Sequence, residues 1–180
     1  MQIVEDTILN TERLRLRAAN VSDVVLVWSA SRFEGFNDGM TWEPPDNKAV
    51  LVEIADRNRR EWLAGTSYIF TSELAASGTA VGRVGISKLD SPSLWRIGFW
   101  VHPDYWGQGY APEAVQSVLH FGFTQLGASR ITTAHAIWNS RSQRVIEKLG
   151  FRFTGENPCG FRKCGECVAE YEYEITKPES

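Results

Sequence analysis

Arg13-Leu-Arg-Leu-Arg17 alternates strictly between charged and apolar residues, the period of a strand with one buried face. Asn20 then suits a helix cap for a segment reaching Ala30, with Asp23 favourably placed in its first turn. Residues 31–45 show no period and are rich in aromatic and acidic side chains: Phe33, Glu34, Phe36, Asp38, Trp42 and Glu43. Asp46 can cap a second helix, with Leu51, Ile54, Ala55 and Trp62 on one face and Gly65 as its stop. Thr66 to Thr71 and Thr79 to Leu89 read as two strands of a hairpin, followed by a turn at Asp90-Ser-Pro-Ser.

Ile97 to Val101 is apolar and aromatic and suits a buried strand. His102 to Tyr110 carries Pro103, Gly107 and Gly109, so the chain turns there. Positions 115, 118, 119, 122, 123 and 126 then repeat at helical spacing. Pro112 suits the first helical position, because its missing N–H would be unpaired anyway, and Gly127 ends the run. Arg130 to Trp138 alternates as a strand, Ser140 to Leu149 is a short helix stopped by Gly150, and Phe151 to Asn157 with Cys167 to Thr176 form a last hairpin. The order βααβββαβαββ predicts an α/β fold: a mixed β-sheet of about seven strands with about four helices on its faces. One domain is expected over residues 1–180, with its core at about 13–176.

The 180 residues are 43% apolar and 23% charged, enough for a packed core. A net charge of −3 without a basic block argues against nucleic acid as the main ligand. The start Met1-Gln-Ile-Val-Glu-Asp lacks the basic and apolar parts of a signal peptide, and no stretch is long enough to span a bilayer. Three cysteines, an odd count, fit a reducing compartment, so a cytoplasmic protein is expected. Cys164-Gly-Glu-Cys167 has metal-ligand spacing, yet only Cys159 lies near and structural zinc usually takes four ligands. A hairpin turn at Gly165-Glu166 is the simpler reading, and no metal is expected.

A strand, a Gly-x-Gly turn and a helix start together make an anion site. The first helical N–H groups lack internal partners, the helix dipole adds partial positive charge, and Gly107 and Gly109 let backbone approach a ligand. A pyrophosphate would fit. The dinucleotide fingerprint fails, because its third glycine falls on Pro112 and Ser129 and Arg130 stand where an acidic residue belongs ~20 positions on. A P-loop fails for want of Gly-Lys-Ser/Thr.

Ile97-Gly-Phe-Trp-Val followed by Tyr105-Trp-Gly-Gln-Gly-Tyr-Ala-Pro-Glu-Ala114 resembles the acetyl-CoA motif of the Gcn5-related N-acetyltransferases (GNAT). Asn139-Ser-Arg-Ser142 leading into Val145-Ile-Glu-Lys-Leu-Gly-Phe151 is similar to the signature of the RimJ/RimL-like branch, which acetylates ribosomal protein N-termini. The resemblance implies acetyl-CoA as co-substrate. Backbone of Phe99, Trp100 and Val101 would pair with the pantetheine amides, and N–H groups of Gly107, Gln108, Gly109, Tyr110 and Ala111 would hold the pyrophosphate. The family's first motif position, often Gln or Arg, is Trp106 here. Glu113 is expected to face the helix start or a neighbouring strand rather than the cofactor.

Asn139 reads either as a catalytic-site amide that contacts the cofactor or fixes the splayed strand, as the resemblance implies, or as a helix cap. The Tyr that many relatives place seven positions after this Asn, as the thiolate's acid, is Ile146, which leaves Ser142 as a candidate donor beside Asn139. No carboxylate occurs at 95–101, where relatives often carry the general base. Glu34, Asp38, Glu43, Glu156, His102 and His135 remain in view without an assignment. Glu34, Trp42 and Glu43 are expected to face a cationic acceptor. That acceptor is an N-terminal α-amine of a ribosomal protein, or a polyamine or aminoglycoside; a non-catalytic acyl-CoA-binding domain is the other class of reading. No membrane or nucleic-acid partner is expected, and either a monomer or a homodimer is compatible.

Overall fold

The alternation at 13–17 becomes a strand in which Leu14 and Leu16 have no exposed surface while Arg15 faces solvent. The computed structural model describes residues 3–178. Its elements are β1 (Leu9–Asn10), β2 (Leu14–Ala18), α1 (Val24–Ser31), α2 (Lys48–Ala64), β3 (Ser67–Leu74), β4 (Ala80–Lys88), β5 (Leu94–Val101), α3 (Tyr110–Thr124), β6 (Arg130–Ala136), α4 (Ser140–Lys148), β7 (Arg152–Lys163) and β8 (Glu166–Thr176). The strands form one sheet in the order β1-β2-β3-β4-β5-β6-β8-β7. Every neighbouring pair is antiparallel except β5 with β6, which α3 connects as a parallel crossover.

Helix α3 supplies the main core. Its Val115, Val118, Leu119 and Phe121 join Leu14, Phe70, Ile86, Ile97 and Ile131 of the strands. Phe121 meets Phe70 edge-on at 5.3 Å and Tyr68 at 5.7 Å. Each such side chain contributes roughly 1.5–3 kcal/mol by leaving water. A smaller cluster joins Val24 and Val27 of α1 to Leu51 of α2, with Trp28, Trp42 and Trp100 packed against it.

A buried charge group gathers around Asp23. Asp23, in the short turn leading into α1, is 2% exposed. It accepts from both terminal nitrogens of Arg17 (2.7 and 3.0 Å), from the Asn20 N–H (2.9 Å) and from the Thr71 hydroxyl (2.8 Å). Burial favours the neutral acid, yet these donors outweigh it and hold the carboxyl below its usual range.

The sequence reading differs in several places. β1 is an additional two-residue strand, bringing the count to eight, and is too short to show a period. Asn47, not Asp46, caps α2, accepting from Ala49 and Val50. α3 begins at Tyr110, so Pro112 is its third residue; an N–H there also lacks a helical partner, and Pro is tolerated. β6 stops at Ala136. β7 and β8 extend to a turn at Cys164 and Gly165, both with positive φ (48° and 84°), the twist a two-residue hairpin requires. Cys159 and Cys167 form a disulfide where reduced thiols were expected, and Cys164 is free and exposed. No helix among the described residues is long and apolar enough to cross a membrane.

Candidate active site

β5 pairs with β4 over its length, from Lys88↔Trp95 to Gly82↔Val101. Its pairing with β6 covers only Leu94↔Arg130, Trp95↔Ile131 and Arg96↔Thr132. β6 stays with β8 as far as Ala136↔Glu170, so beyond Arg96 and Thr132 the sheet opens into a wedge. The open edge of β5, from Ile97 to Val101, has no β6 partner and lines a cavity of about 1000 Å³. Unpaired strand edges offer amide donors and acceptors to an extended ligand. Phe99, Trp100 and Val101 lie on this edge. The Val101 carbonyl already accepts from the Trp106 indole at 2.8 Å.

One mouth of the cavity meets the start of α3. Gly107 (φ 76°) and Gly109 (φ 80°) hold left-handed conformations that a side chain would strain. Gly109 is the cap residue and no side chain caps the helix. Gly107, Gly109, Tyr110 and Ala111 line the cavity; Gln108 does not, and its carbonyl accepts from Arg13 at 2.9 Å. Glu113 fixes the turn from behind. It accepts from the Arg13 N–H (2.9 Å), Arg13 Nε (2.7 Å) and the Thr11 hydroxyl (2.5 Å). Burial favours its neutral form, but the bonds from Thr11 and Arg13 keep the carboxyl below its usual range. Glu113 therefore faces the turn between β1 and β2 rather than the cavity, where the helix start or a neighbouring strand was expected.

α4 forms the opposite wall of that mouth. Asn139 caps it, its Oδ1 accepting from the Ser142 N–H at 3.2 Å, and both residues line the cavity. Arg141, Arg144 and Lys148 also line it, at helical spacing that puts three cations on one face. Arg141 lies over the Trp106 ring, 3.8 Å from its centroid. Orphan helix N–H groups, cations and an open strand edge fit a long, amide-bearing anion. Ile146 is fully buried in the core.

The second mouth opens beneath the loop after α1. Phe36, Trp42 and Trp100 meet edge-on, with Phe36 5.4 Å from Trp100 and 6.2 Å from Trp42. Trp42 lines the cavity, whereas Glu34 does not. Glu43 turns toward the β7–β8 hairpin, accepting from the Cys164 N–H at 3.1 Å and pairing with Lys163 at 3.3 Å. The structure thus brings Trp42 to the cavity and Glu34 and Glu43 elsewhere. Both histidines are engaged. His102 is buried, with Nε2 3.1 Å from the Ser29 hydroxyl and Nδ1 accepting from the Asp104 N–H. His135 is buried with Nε2 3.2 Å from the Tyr173 hydroxyl and Nδ1 2.8 Å from the Ala136 carbonyl.

Sequence reasoning missed three charged residues at this end: Arg83, Arg96 and Glu170. Arg83 Nε is buried with no hydrogen-bond partner among the described residues, and its guanidinium lies 3.7 Å from Asp23. Glu170 is 4% exposed, with Arg96 3.6 Å away. Its strand carries Glu170, Glu172 and Glu174 at every second position, which reads as a solvent face. Among the described residues no three His, Cys, Asp or Glu side chains gather as a metal set.

The acetyltransferase (GNAT) domain family matches residues 13–152. The uncharacterised N-acetyltransferase YoaA of Bacillus subtilis is 26% identical over 95% of this chain and 97% of its own length. Among solved structures, the ribosomal-protein-S5-alanine acetyltransferase of Vibrio fischeri is 19% identical, with TM-score 0.80 over 96% of this chain and all (100%) of that one. RimL, a ribosomal L7/L12 α-N-protein acetyltransferase in complex with coenzyme A, is 17% identical, with TM-score 0.84 over 94% and 98%. These two share the fold. The family match, spanning most of the chain and containing both mouths of the α3 and β5 site, identifies the protein as a member of the GNAT acetyltransferases, enzymes that take the acetyl group they transfer from acetyl-CoA.

Proposed function

We propose that this enzyme acetylates the N-terminal α-amine of a protein, with ribosomal proteins as the acceptor class and the cytoplasm as the setting. The observation that carries the reading is the two-mouthed wedge between β5 and β6: one mouth carries the uncapped start of α3 and the cations of α4, and the other is walled by aromatic rings. The acceptor class is supported by RimL and the Vibrio fischeri enzyme, ribosomal-protein acetyltransferases whose fold this chain shares.

In this reading, backbone groups of Phe99, Trp100 and Val101 hold the pantetheine arm. Backbone N–H groups from Gly107 to Ala111 hold the pyrophosphate, with Gln108 contributing backbone alone, and Arg144 and Lys148 add charge. Asn139 fixes the start of α4, which sets the Ser142 hydroxyl against the cavity, where it serves the departing thiolate. Trp42 contacts the acceptor, while Glu43 holds the loop that carries it.

The test is incubation with acetyl-CoA and a mixture of ribosomal proteins, polyamines and aminoglycosides, read by mass spectrometry. One acetyl group on a protein N-terminus is expected. Acetylation confined to the small amines would overturn the acceptor class. Tight acetyl-CoA binding with no thiol release from any acceptor would leave a binding domain instead.

A further inference from the structure

Glu170 is the only carboxylate lining the cavity among the described residues. It pairs in register with Ala136, past the point where β5 and β6 part, and it shares a sheet face with Arg96 through the Arg96↔Thr132 pair. That face also carries Trp100, at the mouth beneath the aromatic loop. The opposing strand makes room for it. A Cβ on Gly160 of β7 would overlap the Glu170 side chain as it lies here, so the glycine leaves the carboxylate its present position. We propose that Glu170 is the proton acceptor for the incoming amine, an assignment that rests on the acetyltransfer reading above.

The chemistry follows from what the amine needs. An α-amine titrates near pH 8 and arrives largely as ammonium. Ionised Glu170 takes one proton, directly or through one water, and the freed nitrogen lone pair attacks the thioester carbonyl carbon. The C–N bond forms and the C–S bond breaks, its electron pair leaving on sulfur. The nitrogen gives up a second proton, which ends on the thiolate. Glu170 then returns its proton to solvent, so the sum is amide, free thiol and one proton.

The surroundings suit a base rather than a structural ion. Burial raises the carboxyl's affinity for a proton; Arg96 of β5 and His135 of β6 oppose this, and Glu172 of β8 adds to it. β7 puts Gly160 against it, without charge. A carboxyl whose folded pKa is raised destabilises the fold once ionised, that is, as pH rises above its unfolded value. A residue kept only for stability would not be placed so.

The experiment compares wild type with Glu170→Gln and Arg96→Met, using a peptide with a free N-terminal Ser and, as a nucleophile already neutral at assay pH, hydroxylamine. Glu170→Gln should lower kcat for the peptide ~100-fold or more. It should lower kcat for hydroxylamine far less, remove the acidic limb of the peptide pH profile, keep acetyl-CoA affinity and raise Tm at neutral pH. Arg96→Met should move that acidic limb to higher pH, because the carboxyl loses its facing cation. Equal losses for both nucleophiles, an unmoved acidic limb, or a lowered Tm with weakened acetyl-CoA binding would overturn the assignment. Wild type that binds acetyl-CoA yet turns over neither nucleophile would overturn the transferase reading beneath it.

Discussion

Lys163 Nζ donates to the Trp42 carbonyl at 2.7 Å, across 121 positions of sequence. The same ammonium reaches the Met40 carbonyl at 3.4 Å and the Glu43 carboxylate at 3.3 Å. The tip of the β7–β8 hairpin therefore straps down the loop that carries Trp42 over the cavity, the mouth proposed above for the acceptor. Loops on rigid elements commonly carry recognition, and here a hairpin from the far end of the chain fixes the loop.

Removing the strap should loosen Trp42. A hydrogen bond from a charged donor is worth about 1.5–3 kcal/mol, and Lys163 is only 17% exposed. Lys163→Met is expected to raise the acceptor KM roughly tenfold while acetyl-CoA affinity, measured by calorimetry, stays put. A parallel rise in both constants would show that the strap supports the whole site.

Gly109 tests the phosphate mouth. Its φ of 80° strains any other residue, and an added Cβ would stand 3.4 Å from Arg13 Nη2. Gly109→Val should weaken acetyl-CoA binding by about tenfold or more. Unchanged affinity in the folded variant would remove the α3 start from the binding site.

Ser142→Ala tests the donor to sulfur. Negative charge builds on sulfur only as the C–S bond breaks, so a hydroxyl there favours the transition state over the ground state. A hydroxyl is a weak acid, so a fall in kcat of roughly tenfold or more is expected, toward or below the low end of the ~10²–10⁴-fold that positioned general acids contribute. If Ser142 serves only binding or the fold, the acetyl-CoA KM or Tm moves and kcat at saturation does not.

Asp23 tests the buried charge group. Asp23→Asn leaves Arg17 and Arg83 facing a neutral amide, and breaking one side of a buried pair costs about 3–5 kcal/mol. In a chain of this size that lowers Tm by roughly 10 °C. The depressed pKa of Asp23 stabilises the fold above about pH 4, the unfolded value, and that contribution is lost as pH falls through the folded value. The variant should therefore show a flatter acid limb in stability against pH than wild type.

Wherever neighbours along the chain decide the outcome, the sequence was readable. Leu14 and Leu16 alternate with arginines because one face is buried, and α3 shows its period because a single stripe meets the sheet. The Gly107/Gly109 turn and the Asn139 cap are set by backbone geometry over a few residues.

Other features depended on partners remote in sequence. Cys164 and Cys167 have the more suggestive spacing, but Cys164 sits in the turn at positive φ while an irregular register brings Cys159 within 4.7 Å (Cα–Cα) of Cys167. Glu43 looked free for a cationic acceptor, yet the hairpin tip claims it.

Period and turn are local energies, so the order of strands and helices apart from the two-residue β1, the glycine turn and the family motif were determined by the sequence alone. The wedge between β5 and β6 and the burial of Glu170 were decided by the tertiary structure. The same β8 alternation that reads as a wet face, Glu170, Glu172 and Glu174, is closed from water at Glu170, where Gly160 of another strand lies against the side chain. Burial and charge environment are properties of surrounding volume, and that volume is filled by residues no local pattern records.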